Sequence, residues 1–87
     1  MSHENKEYLA WVRTMPCIRC GKPGEPHHVI GIGLGTMGGK ASDIHTMPLC
    51  REHHDELHLE MSQLDKALYQ LRWIVRTQET AISMGLL

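Results

Sequence analysis

Cysteines and histidines crowd one stretch of this chain in a fixed order: Cys17-x-x-Cys20, His27-His28, Cys50-x-x-His53-His54 and His58. All three cysteines and six of the seven histidines lie between residues 17 and 58. A core of this size has no packing use for so many soft and borderline ligands. The spacing provides for two metal sites of different character.

Cys17, Cys20, Cys50 and His53 form two pairs, each with two intervening residues. Such a pair can close on one ion from a turn or a helix start, and two pairs supply the four N/S ligands of tetrahedral zinc. The plain alternative is three small buried apolar side chains and a surface histidine. Two matched spacings favour the structural zinc. Three cysteines cannot pair fully as disulfides, which points the same way.

His54 and His58 stand four apart, so a helix carries them on one face about one turn apart. His53 is rotated by roughly 100° from His54, which lets each neighbour serve a different ion. His27 and His28 diverge likewise on a strand, where adjacent side chains leave opposite faces. One can ligate while the other handles a proton. A three-histidine site keeps open coordination positions, which catalysis needs. A histidine pair on a solvated helix face would otherwise need no explanation. Its place after a zinc ligand and downstream of His27-His28 gives it one.

The order His-His, a polar residue on a second strand, then His-x-x-x-His on a helix resembles the HNH, or ββα-metal, nucleases. The added Cys-x-x-Cys and Cys-x-x-His resemble the zinc-stapled branch of that superfamily. The block from Pro26 to His58 is most similar to small phage and prophage nucleases of the recombination-enhancement (Ref) type, and the likeness covers about residues 15 to 60.

That resemblance implies an α+β fold with a small, treble-clef-like ββα-metal core and flanking helices. It implies a metal-dependent DNA endonuclease that hydrolyses phosphodiester bonds to 5′-phosphate and 3′-hydroxyl ends. His28 would be the general base. His27, His54 and His58 would hold the catalytic divalent ion, Mg²⁺, Mn²⁺ or another. The family's asparagine, nine positions before the first histidine of His-x-x-x-His, is His45 here, a departure; Asp43, two residues earlier, is a second candidate to orient the base. Implied partners are DNA and phage or host recombination or packaging proteins. Two other classes compete: a non-catalytic zinc module that recognises nucleic acid or protein, and an accessory subunit that borrows DNA affinity.

The elements that must position these groups follow from periodicity and punctuation. Tyr8, Trp11, Val12 and Met15 line one face of a helix over about residues 4 to 15, ended by Pro16. Gly21 turns the first cysteine knuckle. Strands are expected over residues 27–32 and 44–49, joined by a glycine-rich loop. A helix from about residue 51 carries His54, Leu57, His58 and Met61. A last helix over about residues 62 to 84 has Leu64, Leu68, Leu71 and Val75 as its expected buried stripe, Ser62-x-x-Asp65 as its start and Gly85 as its stop.

The 87 residues suit one domain, whose limited core a structural metal would reinforce. The formal charge of −1 stays near zero once three thiolates and two divalent ions are counted. That disfavours a high-affinity, non-specific nucleic-acid binder, but not an enzyme that grips one phosphate. No leader or membrane-length apolar run is legible, so a cytoplasmic location and no membrane partner are expected. Gly33-x-Gly35-x-x-Gly38 matches a dinucleotide fingerprint only formally, because a strand rather than a helix follows. Lys40, at the end of that loop, is a candidate phosphate contact.

Overall fold

A computed structural model of the protein describes residues 4–31 and 41–87. The elements run α1 (Lys6–Thr14), β1 (Glu25–His28), β2 (Thr46–Leu49), α2 (Arg51–Leu59) and α3 (Gln63–Ser83). This is a small α+β arrangement of one antiparallel hairpin and three helices. No helix among the described residues is long and apolar enough to cross a membrane. Lys40 and the Gly33–Gly38 motif lie outside the described residues.

Helix α1 starts where Asn5 Oδ1 accepts the Tyr8 amide at 3.0 Å, satisfying one of the free N–H groups of the first turn. Its expected stripe is used: Tyr8 and Val12 are buried against Ala81 of α3, with Trp11, Ile44 and Leu86 around them. After Pro16 the chain folds into a knuckle. Gly21, at φ +81°, takes the left-handed conformation, and its amide returns to Cys17 O at 2.9 Å. The Ile18 amide donates to Pro48 O, also at 2.9 Å, and pins the knuckle to β2.

The hairpin pairs Glu25 with Leu49, Pro26 with Pro48, His27 with Met47 and His28 with Thr46. The first strand thus begins two residues before the expected span and ends at His28. Pro26 masks its start in the sequence; a two-stranded ribbon is all edge, so a proline without an N–H is tolerated there. Val29 still donates to His45 O at 3.0 Å, extending the ladder by one bond. Met47 and Leu49 are buried with Val29, Leu57, Trp73 and Ile74 in the main core, each full burial of such a side chain contributing about 1.5–3 kcal/mol.

Helix α2 ends at Leu59, so Met61 is not on it as expected. Ser62 caps the next helix instead, its Oγ accepting the Asp65 amide at 3.2 Å. At the far end Gly85 is at φ +79°, Leu86 N–H bonds Ala81 O at 2.9 Å and Gly85 N–H bonds Ile82 O at 3.0 Å. That is the paired C-terminal motif that only a residue tolerant of positive φ closes easily.

The expected buried stripe of α3 is overturned. Leu64, Leu68, Leu71 and Val75 are 78%, 50%, 46% and 52% exposed, whereas Gln70, Trp73, Ile74, Thr77 and Ala81 are buried. The helix carries two ridges, one purely apolar and one mixed. The mixed ridge faces the hairpin because its polar members satisfy loop backbone there. Gln70 Oε1 accepts the Ile30 amide at 2.9 Å while its Nε2 donates to Ile30 O at 2.8 Å. Farther along, Gln78 Nε2 donates to Ile44 O. Buried backbone groups that have left the ladder need such partners, and leucine offers none.

Candidate metal centres and a histidine–aspartate pair

The knuckle and the start of α2 bring four donors together. Cys17 Sγ, Cys20 Sγ, Cys50 Sγ and a ring nitrogen of His53 all lie within 4.8 Å of one another. Cys17 Sγ is 3.7 Å from His53 Nδ1, Cys20 Sγ is 3.7 Å from Cys50 Sγ, and Cys50 Sγ is 3.3 Å from His53 Nδ1. All three cysteines are free thiols. This cluster could hold a metal ion. Arg19, inside the knuckle, reaches Glu56 of α2 at 3.0 Å and ties the two halves together.

Local electrostatics favour one thiolate first. Burial pushes the Cys17 thiol up, but amides of Cys50, Arg19 and Cys20, together with His53, outweigh it and lower its pKa to about 6. Backbone hydrogen bonding at Lys22 lowers the Cys20 thiol, but desolvation and the neighbouring Cys50 and Cys17 sulfurs leave it raised. Crowded thiolates repel, and a cation between them removes that cost.

A second cluster lies one residue farther along α2. His27, His54 and His58 each bring a ring nitrogen within 4.8 Å of the others. The ring centroids are 4.9 Å apart for His27 and His54, 5.4 Å for His27 and His58, and 4.4 Å for His54 and His58. The helical four-residue spacing supplies two of the rings and the inward face of β1 the third. His27 is buried, and its Nε2 has no hydrogen-bond partner among the described residues. A buried nitrogen left so is costly unless something accepts or shares its lone pair. Burial first, and then His54 and His58, lower its pKa to about 4, against the opposing effect of a hydrogen bond with Gln70. His58, more exposed, is lowered by burial and then by His54 and Lys66. Both shifts favour the neutral state of His27 and His58, the state in which imidazole binds a metal.

His28 points away from that cluster's inward face and meets Asp43. Its Nε2 is 2.9 Å from Asp43 Oδ1, with side-chain exposures of 19% and 5%. Asp43 is fixed in turn: its Oδ2 accepts the Asn5 amide at 2.8 Å, and its carbonyl accepts Thr46 Oγ1 at 2.8 Å. His45 is not joined to His28. Its amide bonds Ser42 O, and its Nδ1 is buried without a hydrogen-bond partner among the described residues. Two positioning residues are not among those picked from the sequence: Gln70, which clamps Ile30 beside the His27–His28 strand, and Asn5, whose amide holds Asp43. A glutamine on the helix face between Lys66 and Trp73 is the only trace Gln70 leaves in the sequence. Asn5 gives a helix-cap signal and nothing more.

Residues 1–85 match the family described as "Protein of unknown function (DUF968)". The chain belongs to the DUF968 family. It is 46% identical over 84 residues to the "Uncharacterized protein YdfU" of Escherichia coli (strain K12), a match covering 94% of this chain and 24% of that relative. The chain thus spans about a quarter of the length of the curated relative it matches. No solved structure matches it.

Proposed function

We propose that this chain is a metal-dependent DNA endonuclease of the HNH type, with a structural zinc at Cys17, Cys20, Cys50 and His53. The observation that carries the reading is the neighbourhood of a three-imidazole cluster and a histidine held by a carboxylate, on one hairpin and one helix. The order hairpin then α2 is that of a ββα-metal core. Its flanks, α1 and α3, pack on the hairpin.

Zinc suits the first cluster on geometry and chemistry. A tetrahedron with Zn–S bonds of about 2.3 Å has S···S edges of about 3.8 Å and slightly shorter S···N edges. The separations of 3.7, 3.7 and 3.3 Å are close to those edges. The second cluster offers three imidazole nitrogens, one of them buried and unpartnered among the described residues, which fits a divalent ion with open positions.

In the reaction His28 accepts the proton of the attacking water. Asp43 beside Nε2 keeps the ring proton at that nitrogen and leaves the Nδ1 lone pair for the water. It also favours the imidazolium that forms on proton transfer. The Asn5 amide and the buried setting of Asp43 fix the ring's direction, so little reorganisation accompanies the step. A divalent ion held by His27, His54 and His58 would supply charge stabilisation at the phosphate and at the departing oxygen. In this assignment Asp43, not His45, orients the base. His45 occupies the asparagine position of the family, but its ring has no link to His28.

The test is plasmid nicking across Mg²⁺, Mn²⁺, Ni²⁺ and Zn²⁺, with and without chelator, for the parent and His28→Ala. The parent cuts with an added divalent ion. His28→Ala retains its zinc and melting temperature and loses roughly 10²–10⁴-fold in rate. Equal cutting by the two removes His28 as base. No cutting under any ion, with one tightly held zinc per chain, replaces the enzyme with a zinc-binding module.

A further inference from the structure

The exposed ridge of α3 has a regular spacing. Leu64, Leu68, Leu71 and Val75 follow one another in alternating steps of four and three, and Ile82 lies one heptad beyond Val75. That is the a/d repeat of a coiled-coil seam. All five apolar members are at least 46% exposed, while the core-facing ridge is rotated by more than a quarter turn around the same helix. The domain body therefore does not obstruct access to the seam. An exposed apolar strip running from Leu64 to Val75 on a small protein marks a contact surface.

We propose that this face pairs with the same face of a second copy, as an antiparallel two-helix seam about a two-fold axis between Leu68 and Leu71. The charges beside the seam select that occupant and that register. Along its solvent rim stand Asp65, Arg72 and Glu79, one per heptad and all exposed. Alternating signs suit a self-complementary contact, whereas a rim of one sign would suit an oppositely charged partner. With the axis between Leu68 and Leu71, Leu64 faces Val75 of the other copy and Leu68 faces Leu71. Asp65 then meets Arg72 of the other copy twice, once on each side of the axis. Sliding by one heptad sets Asp65 against Glu79 and Arg72 against its own equivalent. A parallel pair would leave the rim charges opposite Ala67, Ile74 and Ala81, and so unmatched. A two-fold contact also uses one patch twice, as closed dimers do. None of this depends on the nuclease reading.

Sedimentation of the full, zinc-loaded chain over a concentration series decides it. The parent sediments at twice its 9.9 kDa mass, and dissociates on dilution. Leu71→Glu, an exposed position whose change leaves the fold and zinc content intact, raises the dissociation constant by more than about 30-fold. Asp65→Arg and Arg72→Asp each weaken the pair on the order of tenfold, and the double exchange restores it. A parent that is monomeric throughout overturns the proposal and leaves the ridge to a different protein. A dimer unaffected by Leu71→Glu overturns it too. Failure of the double exchange to restore pairing overturns the register.

Discussion

The two donor clusters sit side by side on α2, with His53 in one and His54 in the other, yet they are built in opposite ways. The first is rich in sulfur, has four donors, and is closed by the knuckle that Gly21 and the Ile18–Pro48 hydrogen bond hold against β2. The second has three nitrogens, opens to solvent at His58, and borders a histidine–aspartate pair. Full ligation from turns suits an ion that holds the chain together. Incomplete ligation from a strand and a helix suits an ion that must accept a further ligand. One rotation of about 100° along a helix is enough to separate these two tasks.

Breaking the first cluster is expected to have the largest effect. Cys50→Ser removes a thiolate that also begins α2, and apparent metal-binding energies at such sites are on the order of 10 kcal/mol. The variant should lose its zinc and its cooperative melting transition, read by metal analysis and circular dichroism. A variant that melts like the parent would mean the cluster is not a staple.

The histidine–aspartate pair sharpens the contrast next. Asp43→Asn keeps the shape of the site but not the charge beside His28, and cleavage should fall roughly 10- to 100-fold. His45→Ala should change the rate less than about threefold, because its ring makes no hydrogen bond to the base. The reverse order of effects would return the orienting role to the family's asparagine position.

The smallest effect concerns protons. His27 in the folded chain is lowered from 6.5 to about 4, so between those values the unfolded chain binds a proton that the folded chain does not. Stability is therefore complete above about pH 6.5 and is lost as pH falls toward 4, by roughly 3 kcal/mol in all. Between pH 7 and 5.5 the share is about 1 kcal/mol. Urea unfolding of protein carrying zinc at the cysteines alone should register it. His27→Leu should flatten that part of the slope; an unchanged slope would place the acid sensitivity elsewhere.

Much of the donor arrangement was legible because ligand chemistry constrains spacing directly. A pair two residues apart, or four apart on a helix, can meet one ion whatever the rest of the chain does. Caps at Ser62 and Gly85 were legible for a similar local reason. The burial of α3 was not. Its apolar ridge and its mixed ridge both have helical period, and only the unpaired backbone at Ile30 and Ile44 decides between them. That need arises from distant parts of the chain. The Asp43–His28 bond was equally hidden, since Asp43 and His45 are two polar residues ahead of β2 and only the turn they occupy in the fold says which reaches the base. Pro26 obscured the start of the first strand because sequence propensity cannot tell that it will pair on an exposed ribbon. The second strand ends at Leu49 as expected but starts at Thr46, two residues later than expected, because residues 43–45 form a turn.

The central claim is that one short chain holds two ions of different kind. Native mass spectrometry of the parent and of His54→Ala/His58→Ala, each loaded with zinc and a second divalent ion, tests it most directly. Two ions per parent chain and one per variant chain, with the variant still folded, is the expected result. A single ion in both proteins, or an unfolded variant that has lost both, would contradict it.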